Sequence, residues 1–146
     1  RVLFRSLLPT LCYEIAYPKF VQEGLKENPE TTLLINLSED GWFGRSLGPH
    51  QHLDIARMRA IETAKPLIRS TPTGFSAFID AKGHILAKAP RFSNTTISYQ
   101  ITGQKGQTPW SRFGFWPLNF LIIMTLLGSL IPQVSLRHRM KPIYHA

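Results

Sequence analysis

Apolar and polar positions change period several times along the chain, and each change marks an element. Val2-Leu3-Phe4-Arg5-Ser6-Leu7-Leu8 reads as a short strand, entered midway and bounded by Pro9. Pro18 suits a first helical turn, and Phe20, Val21 and Leu25 give the stretch to about Glu27 an apolar face. Leu33-Leu34-Ile35-Asn36-Leu37 is a continuous apolar run of the kind found in a strand covered on both sides. The polar, glycine-containing segment from Ser38 to Gly44 reads as a loop at the end of that strand. From about Pro49 to Ala64, Leu53, Ala56, Met58, Ala60 and Ile61 sit near helical spacing. Arg57, Arg59 and Glu62 fill polar positions there and read as a solvated face or local ion pairs. Pro66–Ser70 is a further strand. Phe75–Ile79 and His84–Ala87, joined by Asp80-Ala81-Lys82-Gly83, make a hairpin, and Thr95–Ile101 alternates like another strand. Strand, helix, strand, helix, then several strands is the order of an α/β layered domain.

The pattern then stops alternating. Phe113 to Leu136 holds no charged residue and is bracketed by Arg112 and Arg137. As a helix it would reach about 36 Å at 1.5 Å per residue, against a hydrocarbon core of about 30 Å. Trp110 and Trp116 lie at its start, where interfacial aromatic residues are favoured. The sequence therefore predicts an α/β domain over residues 1–112, one transmembrane helix over 113–136 and a basic tail over 137–146. Arg137, Arg139 and Lys141 bias that tail to the cytoplasm and the α/β part to the outer face.

Charge sharpens this picture. The net charge is +8, yet the Lys and Arg residues are scattered and no run of them alternates with aromatic residues. With the basic tail set directly after the apolar stretch, an anionic lipid surface is the expected partner and nucleic acid is not. The single cysteine, Cys12, cannot form an internal disulfide, so it is a free thiol, inert in a core or reactive.

Cys12 falls between a strand and a helix, where a sharp turn presents a side chain at the sheet edge beside backbone N–H groups able to hold an oxyanion. A thiolate attacks carbonyls well and leaves a thioester that an amine can open. Glu14, two residues on, is placed to orient or deprotonate it, or is simply a surface carboxylate. His50 and His52 raise a metal site, but no third ligand stands at a telling spacing, and residues two apart on a helix point to different faces.

Several segments in order carry a resemblance. Leu11-Cys12-Tyr13-Glu14, Trp42-Phe43-Gly44, Gly48-Pro49-His50-Gln51-His52, Ala56-Arg57-Met58-Arg59-Ala60-Ile61-Glu62, Arg69-Ser70-Thr71 with Gly74, and Gly106-Gln107-Thr108-Pro109-Trp110 together resemble the C-terminal part of the apolipoprotein N-acyltransferases, a membrane branch of the nitrilase, or carbon-nitrogen hydrolase, superfamily. Ser38-Glu39-Asp40-Gly41 departs from the family's usual S-N-D-A, and Pro72 from its asparagine.

The resemblance implies the C-terminal portion of a nitrilase-like αββα sandwich followed by one transmembrane helix, with no cofactor and no metal. It implies Cys12 as the nucleophile of a Glu–Lys–Cys triad, Glu14 as a second active-site carboxylate, and Tyr13 as a pocket-shaping neighbour whose N–H helps hold the oxyanion. Trp42 and Phe43 are expected against the acyl chain. The implied reaction moves a fatty acyl chain from a phospholipid donor to the α-amine of a diacylglyceryl-cysteine on an apolipoprotein, through a Cys12 thioester. Its expected setting is the periplasmic face of a bacterial inner membrane. Residues 1–11 hold no Glu and no Lys, so the chain alone is expected to be inactive. A nitrilase-type amidase using the same cysteine, or a catalytically incomplete membrane-anchored fragment, are the alternatives.

Overall fold

Strand β1 (Leu7–Leu11) leads through a 3-10 turn (Cys12–Ala16) into helix α1 (Pro18–Glu27). Strand β2 (Leu33–Leu37) leads through a second 3-10 turn (Gly41–Phe43) into α2 (Gly48–Thr63). Strand β3 (Leu67–Ser70) is followed by the hairpin β4 (Ala77–Ile79) and β5 (Ile85–Lys88). The computed structural model that shows this describes residues 6–139, with side chains through Ser129. The first residues of the predicted N-terminal strand and the end of the basic tail lie outside the described residues. The chain divides at Arg112 and Phe113 into two compact units.

In the first unit the strands form one sheet in the order β1-β2-β3-β4-β5. β1, β2 and β3 run parallel, each crossover passing through a helix, and β3, β4 and β5 run antiparallel. One row across the sheet pairs Leu8, Leu34, Leu67 and Ile79, all buried. Val21 and Leu25 of α1 and Leu53, Ala56 and Ala60 of α2 belong to the same core. Burial of each large aliphatic side chain contributes about 1.5–3 kcal/mol. Because side chains alternate along a strand, the neighbouring row, Pro9, Ile35, Ile68 and Phe78, belongs to the other face. That row is apolar yet only half-buried to exposed.

Some expectations shift. β1 passes through Pro9 instead of stopping there, which an edge strand allows because its outer N–H groups need no partner. Thr95–Ile101 forms no strand. The Tyr99 ring lies 6.0 Å from that of Phe78 on β4, and Gln104 N–H donates to the Thr32 carbonyl just before β2 (2.9 Å). A segment that travels from β4 to β2 crosses strands and cannot ladder along one. On α2, Arg57 pairs with Asp54 at the surface (2.8 Å), as a local ion pair should. Arg59 pairs with Glu62 (3.0 Å) but is buried, so the solvated reading fails for it. Burial lowers the Arg59 pKa and raises that of Glu62, each opposed by the other's charge.

After the short helix α3 (Pro109–Phe113), the second unit is built on helix α4 (Trp116–Arg139). Trp116, Leu118, Phe120, Leu121, Ile122, Ile123, Met124, Leu126 and Leu127 are all exposed on it. Among the described residues no helix is long and apolar enough to cross a membrane. Residues 130–136 of the predicted span lie outside the described side chains, so the structure supplies a helix with an exposed apolar surface, and not a demonstrated span.

Candidate active site

Cys12 stands where β1 gives way to the 3-10 turn, with φ at 46°. A non-glycine residue in this left-handed region costs on the order of 1–3 kcal/mol and persists only when its surroundings hold it. Two hydrogen bonds do so. The Glu14 carboxylate accepts the Leu11 N–H (2.7 Å), and the Asn36 side-chain amide donates to the Cys12 carbonyl (3.1 Å). Glu14 therefore caps the turn that carries the thiol. The sulfur itself has the Ser38 hydroxyl at 3.7 Å and the Glu39 carbonyl at 3.9 Å.

Behind the thiol lies a buried polar network that sequence reading did not assemble. Asn36, Arg69, Asp40 and His52 are all buried. Asn36 also donates to the hydroxyl of Thr10 (3.0 Å), and its carbonyl oxygen accepts from Arg69 Nη1. Arg69 Nη2 donates to both Asp40 oxygens (3.1 and 2.9 Å), and Ser38 Oγ donates to Asp40 Oδ1 (2.9 Å). His52 Nδ1 lies 2.9 Å from the same oxygen. Arg69 Nη2 lies 3.0 Å from the same nitrogen, and because an ionised carboxylate only accepts, the Nδ1–H tautomer serves Asp40 while Arg69 spends its protons on the carboxylate oxygens. The Arg69 charge lies within electrostatic reach of Cys12. Burial works against the Asp40 charge, but the charge and hydrogen bonds of Arg69, with Ser38 and His52, outweigh it and hold the carboxyl below its ordinary value. Burial, then the Arg69 charge, lower the His52 pKa against the opposing pull of Asp40, so the ring is neutral at pH 7. Burial lowers the Arg69 pKa as well, against Asp40.

Of the residues singled out from sequence, Tyr13 and Phe43 meet at His52, with ring centroids 5.4 and 6.3 Å from it. Trp42 packs on Phe43 at 6.0 Å and is 66% exposed. Leu11 and Leu37, paired across β1 and β2, are exposed beside Cys12 and Ser38. The two histidines of the H-Q-H segment part company. His50 packs on Phe75 (4.7 Å), while His52 enters the network.

Gly74 is where the chain passes Asp40 too closely for any side chain. A Cβ there would sit 2.0 Å from Asp40 Oδ2. Gly74→Ala is expected to destabilise the fold by about 1–3 kcal/mol by pushing Asp40 from Arg69, measured by urea unfolding.

His52 gives a pH prediction. Its folded pKa lies below the ordinary 6.5, so as pH falls through that value the unfolded chain takes up a proton that the folded chain refuses. Stability present above about pH 6.5 is lost toward the lower folded pKa. His52→Asn keeps a donor for Asp40 and does not titrate, so its melting temperature should change less than wild type between pH 7 and pH 5. Glu62, with a raised pKa, acts in the opposite sense but equally in both proteins.

The family model for carbon-nitrogen hydrolase matches residues 7–109, which contain the whole sheet and the Cys12 turn. Among similar proteins, the apolipoprotein N-acyltransferase of Haemophilus influenzae is 50% identical over 84% of this chain and 23% of its own length. That of Photobacterium profundum is 45% identical over 86% of this chain and 24% of its own. That of Azotobacter vinelandii is 37% identical over 96% of this chain and 27% of its own. The chain thus spans about a quarter of the length of these relatives. In fold it is similar to a carbon-nitrogen hydrolase from Helicobacter pylori G27, with a TM-score of 0.51 at 21% identity over 58% of this chain and 36% of that one. Saccharomyces cerevisiae Nit3, of the nitrilase superfamily, gives 0.50 at 21% identity over 58% and 33%. With the family match covering most of its length, and the cysteine turn and sheet in place, the chain belongs to the carbon-nitrogen hydrolase family.

Proposed function

We propose that this chain is the nucleophile-bearing part of an apolipoprotein N-acyltransferase, with Cys12 as acyl carrier. The observation that carries the reading is the Cys12 turn: a left-handed thiol-bearing residue, braced from behind by Asn36, with Leu11 and Tyr13 exposed on either side of it in the chain and Leu37 exposed across from Leu11 on β2. A water-seeking amidase has little use for that apolar rim, whereas a fatty acyl donor does.

In this reading the Cys12 thiolate attacks the ester carbonyl of a phospholipid. The tetrahedral oxyanion is held by the Tyr13 N–H and by a lysine from elsewhere in the whole protein. It collapses to the thioester and expels the lysophospholipid alkoxide, which takes the proton that the carboxylate base had drawn from the Cys12 thiol. The α-amine of a diacylglyceryl-cysteine then attacks the thioester, loses its proton to a carboxylate base, and leaves as an amide while the thiolate is regenerated. That amine has an ordinary pKa of about 7.7–8.0, so the base removes a modestly held proton. Glu14 serves by holding the turn, and Trp42 and Phe43 by lining the path of the acyl chain. Helix α4 anchors the domain at the bacterial inner membrane, with the catalytic unit on the periplasmic side. The half-covered sheet face receives the second sheet of the αββα sandwich, which brings the triad Glu and Lys.

The test is product analysis. The whole protein, given phospholipid and a diacylglyceryl-cysteine peptide, should yield N-acylated peptide and lysophospholipid, and these 146 residues alone should yield neither. Release of ammonia from small amides with no acyl transfer would overturn the reading in favour of an amidase.

A further inference from the structure

We infer that Arg91 and Glu39 are positioning residues that clamp the Ser38–Gly44 loop, one wall of the Cys12 site, to the turn at residues 71–74. The inference rests on the acyl-transfer reading for its substrate, but its geometry stands apart from it.

The near end of this loop lies against the thiol, through the Ser38 hydroxyl at 3.7 Å and the Glu39 carbonyl at 3.9 Å from Sγ. Ser38 and Asp40 tie that end into the buried network. The far end carries Trp42 and Phe43, and its 3-10 turn contains no buried residue, so hydrophobic burial does little to fix it. Polar contacts take over. Glu39 Oε1 accepts from the Gly41 N–H (2.7 Å) and from the Thr73 hydroxyl (2.5 Å). Arg91 Nε donates to the Thr73 carbonyl (3.2 Å), and Arg91 Nη2 donates to the Gly44 carbonyl (2.5 Å). Thr73 is thus the shared post, its hydroxyl held by one residue and its carbonyl by the other.

Arg91 acts at the joint of the loop. Gly44 has φ 53° and ψ −133°, a conformation open essentially to glycine, and there the chain turns away toward α2. The guanidinium is itself held, over the rings of Phe92 (4.5 Å) and Phe75 (5.5 Å). Two donors on separate nitrogens, in a planar fork, reach two carbonyls from different loops, whereas a lysine would have to reach both from one nitrogen. Glu39 uses only acceptor capacity, so an amide oxygen could replace it. These contacts set the wall, and a wall displaced by about 1 Å is enough to cost a reaction of this kind on the order of 10–100-fold.

The experiment uses the whole protein, measuring acyl-Cys12 formation from phospholipid in a single turnover and alkylation of the Cys12 peptide by iodoacetamide, both by mass spectrometry. Arg91→Ala should slow acylation about 10-fold. It should also speed alkylation, because the wall beside the sulfur loosens, with the melting temperature nearly unchanged. Glu39→Ala should move both rates the same way, and Glu39→Gln should restore most of the loss. A merely structural role would lower the melting temperature and leave native-state alkylation alone. Wild-type rates in Arg91→Ala, or equal impairment in Glu39→Gln and Glu39→Ala, would overturn the clamp. If Arg91→Ala does not fold, the Glu39 pair decides the matter. If wild type itself takes no acyl group from phospholipid, the reaction assigned above falls, while the alkylation rates still judge the clamp.

Discussion

Cys12→Ala in the whole protein is expected to reduce acyl transfer by at least about 1000-fold, a loss typical of removing a covalent nucleophile. The reason is chemical. Without the sulfur no thioester forms, and the amine must attack the phospholipid ester directly, without the intermediate that divides the barrier into two smaller ones. The fold should survive. The Cys12 side chain is only half-buried, and its contacts are weak ones to Ser38 Oγ and the Glu39 carbonyl. The bonds that hold the turn use the backbone of Leu11 and Cys12, which alanine retains. The check is the intact mass of the protein after incubation with phospholipid. Wild type should gain one acyl chain at Cys12, and the variant should gain none while unfolding at the same temperature. Wild-type transfer by the variant would remove Cys12 from the mechanism and leave the turn without a purpose.

Much of the frame could be read from residue order because it rests on local rules. Pro18 opens α1 and Asn28 follows its end, and the observed bounds, Pro18–Glu27, are those expected. Leu33–Leu37 forms β2 over the expected residues. The Thr95–Ile101 strand failed because alternation is a local property, whereas a ladder needs a neighbour lying alongside. The site divides in the same way. Cys12, Glu14, Tyr13, Trp42 and Phe43 were marked by motif; the structure sets Cys12 and Glu14 in the turn and Tyr13 and Phe43 against His52, with Trp42 packed on Phe43. Asn36 and Arg69 were passed over, although a signal existed. Each is the one strongly polar side chain of a short apolar strand, Leu33–Leu37 and Leu67–Ser70, and sits two residues after a buried leucine. Period-2 alternation turns both toward the helix-covered face, where an unpartnered polar group is costly and must find company. What no local rule could supply is that the partner of Arg69 would be Asp40, brought by the loop that follows β2.

That partnership carries the largest expected loss of stability. Asp40→Ala should destabilise the fold by about 3–5 kcal/mol, because Arg69 would keep a buried charge with nothing to balance it. Ser38 and His52 would lose their acceptor in the same step. Since Asp40 is held below its ordinary carboxyl pKa of 3.8, its contribution is complete above that value and fades as pH falls through the lower folded one. Arg69→Met alone should cost a comparable amount, now by stranding Asp40. The double variant should be less damaged than the two losses added together, because neither charge is left behind. Urea unfolding of the four proteins in this cycle gives the coupling directly, and a value near zero would mean the pair does not act as a unit. Activity should follow a different order. Arg69 also holds the Asn36 side chain, and Asn36 holds the Cys12 carbonyl in its left-handed turn. The double variant should therefore regain stability without regaining acyl transfer, because the neutral core that replaces the pair can fill the space but cannot orient Asn36. Recovery of both together would mean that the network is a packing device alone, and that the cysteine turn holds its shape without it.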